Sequence, residues 1–146
     1  MLRQQAALLR LALLTGLADH GAVVRWADQA LHASKLAPDE LVALSLADAA
    51  RWKDSLDLLY RLAHGADDDL ARRQTLGLLK ERIEAGMTMA DAVAVLKTYL
   101  APEGNDLTDD QVFGIIALED HACLWLPSLP DAVREYLEAN AVPASI

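Results

Sequence analysis

LRQQAALLRLALLT, residues 2–15, is apolar on most sides of a 3.6-residue helix and stops at Gly16, a residue suited to a left-handed helix end. A helix with so little polar surface has to be enclosed by others, so this one is expected deep in the core. The whole composition agrees with that reading. Leucine (28) and alanine (27) far outnumber Val, Ile, Phe, Tyr and Trp together (19), and the first pair are the helix formers.

Working outward, the spacing predicts a second helix over Ala22–Ser34, with Val23, Trp26, Ala27, Ala30 and Leu31 on its apolar face and Arg25, Asp28, Gln29 and His32 on the other. Pro38, Asp39 and Glu40 open a third over Asp39–Ala49, because proline and carboxylates suit the first turn. The fourth covers Trp52–Ala63, with a stripe of Trp52, Leu56, Leu59 and Ala63; their apolar companions put Trp26 of the second helix and Trp52 of the fourth in the core. Asp67–Asp69 lead into a fifth, Asp68–Ala85, with Leu76, Leu79 and Ile83 inward. Thr88 and Asp91 start a sixth over Met89–Ala101, carrying Met89, Val93, Leu96 and Leu100. A seventh runs from Thr108 to Trp125 behind a Thr108/Gln111 capping box, and Pro127 and Pro130 separate it from the eighth, Asp131–Asn140, with Val133, Tyr136 and Leu137 inward. Short connections imply antiparallel neighbours. The expected fold is all-α, one compact bundle of about eight helices over residues 1–146, with stacked helical hairpins as the variant arrangement.

The stretch GLADHGAVVRWADQAL (Gly16–Leu31) followed by LVALSLADAA (Leu41–Ala50) resembles the opening of small helical bacterial proteins that carry no assigned function. The glycine turn and the Trp26-Ala27-Asp28 triplet carry the likeness. It implies a bacterial cytoplasmic helical domain and transfers no activity and no site residue.

Net charge is −9 and unevenly placed: residues 1–73 hold 9 basic and 10 acidic groups, residues 74–146 hold 4 and 12. Glu103, Asp106, Asp109, Asp110, Glu119, Asp120 and Asp131 fall between Thr98 and Val133 with no Lys or Arg. Such a surface repels phosphate backbones and attracts basic proteins, or serves solubility alone. Nucleic acid is not expected as a partner, nor is a membrane. An internal charge, Arg10, interrupts the apolar run that would otherwise read as a signal peptide, and no apolar stretch approaches the ~20 residues a bilayer requires. With Cys123 the single cysteine, no internal disulfide can form, and the expected compartment is the cytoplasm.

Candidate chemistry concentrates in the seventh helix, in Glu119-Asp120-His121-Ala122-Cys123. At 100° per residue Glu119 falls among Val112, Ile115, Ile116, Cys123 and Leu126, where a lone charge is costly. Either an arginine such as Arg72, Arg82 or Arg134 pairs with it, or it acts as a general acid or base beside a cavity, with His121 or Cys123. A metal at this run is not expected, because His121 projects away from Cys123. Asp28 and His32 sit one turn apart on the second helix and form a second catalytic candidate, lacking a nucleophile. The other histidines, His20 and His64, lie on separate elements. No glycine motif cradles a phosphate, and no cofactor is expected.

The leading expectation is a non-enzymatic, acidic protein-interaction module, immunity-like or an adaptor, with another protein, basic in character, as its partner. Its candidate partner-binding residues are Glu103, Asp106, Asp109, Asp110, Asp120 and Trp125. The alternative is a small helical enzyme or ligand-binding protein built on Glu119; a homodimer is compatible with both.

Overall fold

Ala6, Leu9 and Leu13 of α1 (Leu2–Thr15) face one hydrophobic cluster, and Leu8 and Ala12 of the same helix face another. The computed structural model describes residues 1–35, 37–100 and 129–146. Around α1 stand α2 (His20–Ala33), α3 (Asp39–Ser45), a 3₁₀ turn (Ala49–Arg51), α4 (Trp52–Leu62), α5 (Asp68–Glu84), α6 (Met89–Leu100) and α7 (Leu129–Asn140). Among the described residues there is no strand, and no helix is long and apolar enough to cross a membrane. The all-α packing expected from leucine and alanine spacing is therefore the architecture observed. The expected seventh helix, Thr108–Trp125, lies outside the described residues, and the expected eighth is α7.

Local chemistry sets several helix starts. Asp19 and Asp67 accept the backbone N–H of Ala22 (2.7 Å) and Leu70 (3.0 Å), which begins α2 and α5. Thr88 Oγ1 accepts the Asp91 N–H at 3.2 Å and begins α6. Gly16, at φ 76°, ends α1 in the left-handed region as its sequence position implies.

Three details differ from the pattern read along the chain. Instead of continuing to Ala49, α3 stops at Ser45. Ser45 donates to the Val42 carbonyl and Asp48 accepts from Ala50 N–H, so two short polar side chains offer the backbone partners other than the helix ladder. The fully buried residues of α4 are Ser55, Leu59 and Leu62, with Leu56 and Ala63 of the expected stripe half-buried against the same cluster, so that of the expected residues Trp52 departs. Trp52, expected in the core, is the first residue of its helix and is 37% exposed, with the Lys53 ammonium 5.9 Å from its ring centroid. Trp26 is half-buried against the cluster that holds Ala6, Leu9 and Leu13, its indole N–H donating to Gln5 Oε1 at 3.2 Å. Lastly, the middle of α5 is enclosed all round, with Thr75, Leu76, Gly77, Leu78 and Leu79 consecutive and buried. α1, α6 and α7 all pack against that helix.

The chain after α7 supplies the remaining cover. Val142 N–H donates to the Arg73 carbonyl at 2.9 Å, and Arg73 Nε donates to the Asn140 carbonyl at 3.1 Å. The crossing segment lies directly over Gly77, where a Cβ would run into the Val142 carbonyl. Helix propensity alone makes Gly→Ala stabilising by about 1 kcal/mol, but here the clash reverses the sign. Gly77→Ala is expected to lower unfolding free energy by roughly 1–3 kcal/mol, measured by urea denaturation; a variant more stable than the parent would show that this backbone crossing is absent in solution.

Candidate functional site

Among the described residues, a polar contact reaching the apolar interior joins α2 to α4. Ser55 is fully buried, and its Oγ lies 2.8 Å from Nε2 of the half-buried His20. Asp19 begins α2 by capping it, which puts His20 in the first helical residue with its ring turned toward α4. Ser55 occupies a position of the α4 stripe that spacing alone would give to an apolar residue. The pairing joins residues 35 apart in sequence, so no local pattern reveals it; a serine at an i, i+4, i+7 position of an amphipathic helix was the available signal.

Serine with histidine at hydrogen-bond distance is the elementary unit of nucleophilic catalysis. Two features turn this pair toward a structural role. Ser55 has no solvent-accessible surface, so no carbonyl can approach its Oγ. The carboxylate next to the histidine, Asp19, accepts the Ala22 N–H and lies 3.9 Å from Arg25. The pair thus satisfies a hydroxyl buried in an apolar setting, where an unmet partner would cost about 1–3 kcal/mol.

The other foreseen residues are placed as follows. His32 is exposed, and its Nδ1 lies 2.7 Å from the backbone carbonyl oxygen of Asp28, to which it donates; the contact is made through the backbone of Asp28. Arg82 donates to the Leu17 carbonyl at 3.0 Å, and Arg134 pairs with Asp131 at 3.3 Å on the surface. Glu119, His121 and Cys123, together with Glu103, Asp106, Asp109, Asp110, Asp120 and Trp125, lie outside the described residues. Among the described residues, no three His, Cys, Asp or Glu side chains converge as a metal ion would require.

A surface feature is more distinctive. Between residues 42 and 52, where α3 gives way through the 3₁₀ turn to α4, Val42 (40%), Leu46 (81%) and Trp52 (37%) stand in solvent. Their neighbours Leu41 and Leu44 are fully buried, so α3 is apolar on both its inner and its outer side. Residues 38–57 hold five carboxylates (Asp39, Glu40, Asp48, Asp54, Asp57) and two cations (Arg51, Lys53), a local charge of 2 − 5 = −3. Arg51 is already paired with Asp54 at 2.8 Å.

Compared with protein-family models, with curated proteins and with solved structures, the chain gives no match in any of the three.

A double-mutant cycle on His20→Ala and Ser55→Ala is expected to return a coupling of about 1 kcal/mol toward stability. A serine-directed fluorophosphonate is expected to leave Ser55 unlabelled in the folded chain. Zero coupling, or stoichiometric labelling of Ser55, would contradict the anchoring role.

Proposed function

We propose that this chain is a non-enzymatic protein-interaction module that offers the apolar corner 42–52, set in acidic surroundings, to a basic protein partner, as an immunity-like inhibitor or an adaptor does. The observation that carries the reading is the exposure of Val42 on α3, of Leu46 just after it and of Trp52 at the start of α4, next to a short helix whose opposite side is committed to the core. Large apolar side chains grouped on a surface mark places where another molecule excludes water, and tryptophan is enriched at the residues that dominate binding energy. The surrounding net negative charge favours encounter with a basic surface and disfavours acidic competitors.

The charge of the whole chain, −9, supports the same choice of partner and argues against nucleic acid. A single cysteine, Cys123, supports a reducing compartment, for which the cytoplasm is our assignment. No catalytic role is assigned to any residue.

With the full chain as bait, basic proteins are expected to be retained at low salt and released as ionic strength rises. Leu46→Asp combined with Trp52→Ala is expected to weaken that retention at least tenfold, about 1.4 kcal/mol, without changing the helical circular dichroism. Retention unaltered by the double substitution, or no retention by the parent at low salt, would refute this surface.

A further inference from the structure

Residues 141–146 leave α7 and cross α5 as a non-helical segment. Val142 turns both of its main-chain groups toward a single turn of that helix. Its N–H donates to the Arg73 carbonyl at 2.9 Å, and its own carbonyl lies where a Cβ of Gly77, four residues on, would stand. Two residues earlier, the Asn140 carbonyl accepts from Arg73 Nε at 3.1 Å. All three contacts are made to the main chain of the crossing segment, so this turn of α5 reads a peptide backbone and no particular side chain.

The segment itself is lightly held. Ala141 and Ala144 pack on the cluster that contains Leu76 and Leu79, Val142 is half-buried, and Pro143, Ser145 and Ile146 stand exposed. Local opening is easiest where few apolar contacts are buried, and two half-buried alanines with one valine bury far less than the leucines of α5 beneath them. The bond between Arg73 and Asn140 is exposed, so water can replace it at little cost. Pro143, Ala144 and Ser145 also border a cleft of about 430 Å³, shared with Met1, Gln4 and Leu8, which leaves open space on that side. When the segment lifts, α5 keeps an open carbonyl acceptor, a guanidinium donor and, at Gly77, no side chain to block a new arrival.

We propose that residues 141–146 are a displaceable strap, the tethered occupant of a backbone-reading groove on α5 that takes a non-helical, small-residue segment of a partner protein in their place. The incoming segment supplies an N–H to the Arg73 carbonyl and, two residues earlier, a carbonyl to the Arg73 guanidinium. Where Ala141 and Ala144 now sit it carries alanine-sized side chains. A helix does not fit, because its own ladder occupies both main-chain groups. Being tethered, the strap competes at a roughly millimolar effective concentration, which makes it a brake on the groove. The corner 42–52 contributes no residue to this groove, so the two proposals stand or fall separately.

The probe is an acetylated peptide with the sequence of residues 139–146, Ala-Asn-Ala-Val-Pro-Ala-Ser-Ile. Its control carries proline at the valine and so lacks the N–H that Arg73 accepts. In the full ¹⁵N-labelled chain, Val142→Pro removes the same donor from the strap and loosens it. The peptide is expected to bind this variant saturably and at least about tenfold more tightly than the parent, because a larger fraction of its grooves stands open. Shift changes are expected at the backbone N–H groups of Arg73 to Gly77, and the control peptide is expected to give none. A peptide that does not saturate on Val142→Pro, that binds the parent equally well, or that is matched by its control would overturn the proposal. Amide exchange on the parent decides the matter even if the variant fails to fold. There the Val142 N–H is expected to exchange at least about a hundredfold faster than the Leu79 N–H and without its dependence on urea. Equal rates with equal urea dependence would mean that the strap leaves only when the whole chain unfolds, and displacement would be ruled out.

Discussion

The structure depends on α1 serving as a wall common to two hydrophobic clusters. Ala6, Leu9 and Leu13 belong to the cluster shared with α2, α3 and α4, while Leu8 and Ala12 belong to the one shared with α5, α6 and α7. At 100° per residue these two sets point about 110° apart, so one helix of ordinary diameter presents two complete faces. Alanine makes this possible. Ala6 and Ala12 have no exposed surface, and a side chain of one carbon lets a neighbouring helix approach closely where leucine would hold it off. The same device recurs at Ala27 of α2 and Ala92 of α6, both fully buried. A chain so rich in alanine is thereby able to pack several helices onto one, each leucine filling the space an alanine opens.

From this arrangement follows what could be read along the chain and what could not. The enclosure of α1 was legible because its apolar residues occupy most of the helical circumference, and the starts of α5 and α6 were legible because Asp67 and Thr88 carry their caps within three residues, whereas the Asp19 cap begins α2 at His20, ahead of the expected Ala22. Register was harder. Leu56, Leu59 and Ala63 of α4 pack inward as read, but Ser55 is the more deeply buried start of the stripe and Trp52 stands outward. Hydropathy alone favours the opposite choice, and only the imidazole of His20, supplied from another helix, makes a buried hydroxyl acceptable there.

Gly77 illustrates the same limit from the backbone side. Within a helix glycine ordinarily signals weakness, and nothing in residues 68–84 shows that a segment more than sixty positions later will cross at that point. The information resides in the pairing of Arg73 with Asn140 and Val142, a contact between elements distant in sequence. Of the candidate site residues, Asp28 and His32 share a helical turn as their spacing requires, yet their contact runs through the Asp28 carbonyl oxygen, a partner that side-chain periodicity cannot distinguish from the carboxylate.

The ion pairs explain why the surface is free to carry an imbalance of charge. Arg25 with Asp19, Arg51 with Asp54 and Arg134 with Asp131 all have side chains more than half exposed, where solvent screens their attraction and the fold gains little from them. Burial of Leu9, Leu41, Leu44, Leu59, Leu79 and Leu96, all nearly or wholly out of solvent, supplies the cohesion instead, at about 1.5–3 kcal/mol per leucine before the entropy of ordering is subtracted. Because stability rests on apolar contacts between helices, acidic residues can accumulate on the outside without undermining it. Surface charge and core packing are thus set independently, and an acidic surface around an apolar corner is a property the fold permits without requiring it.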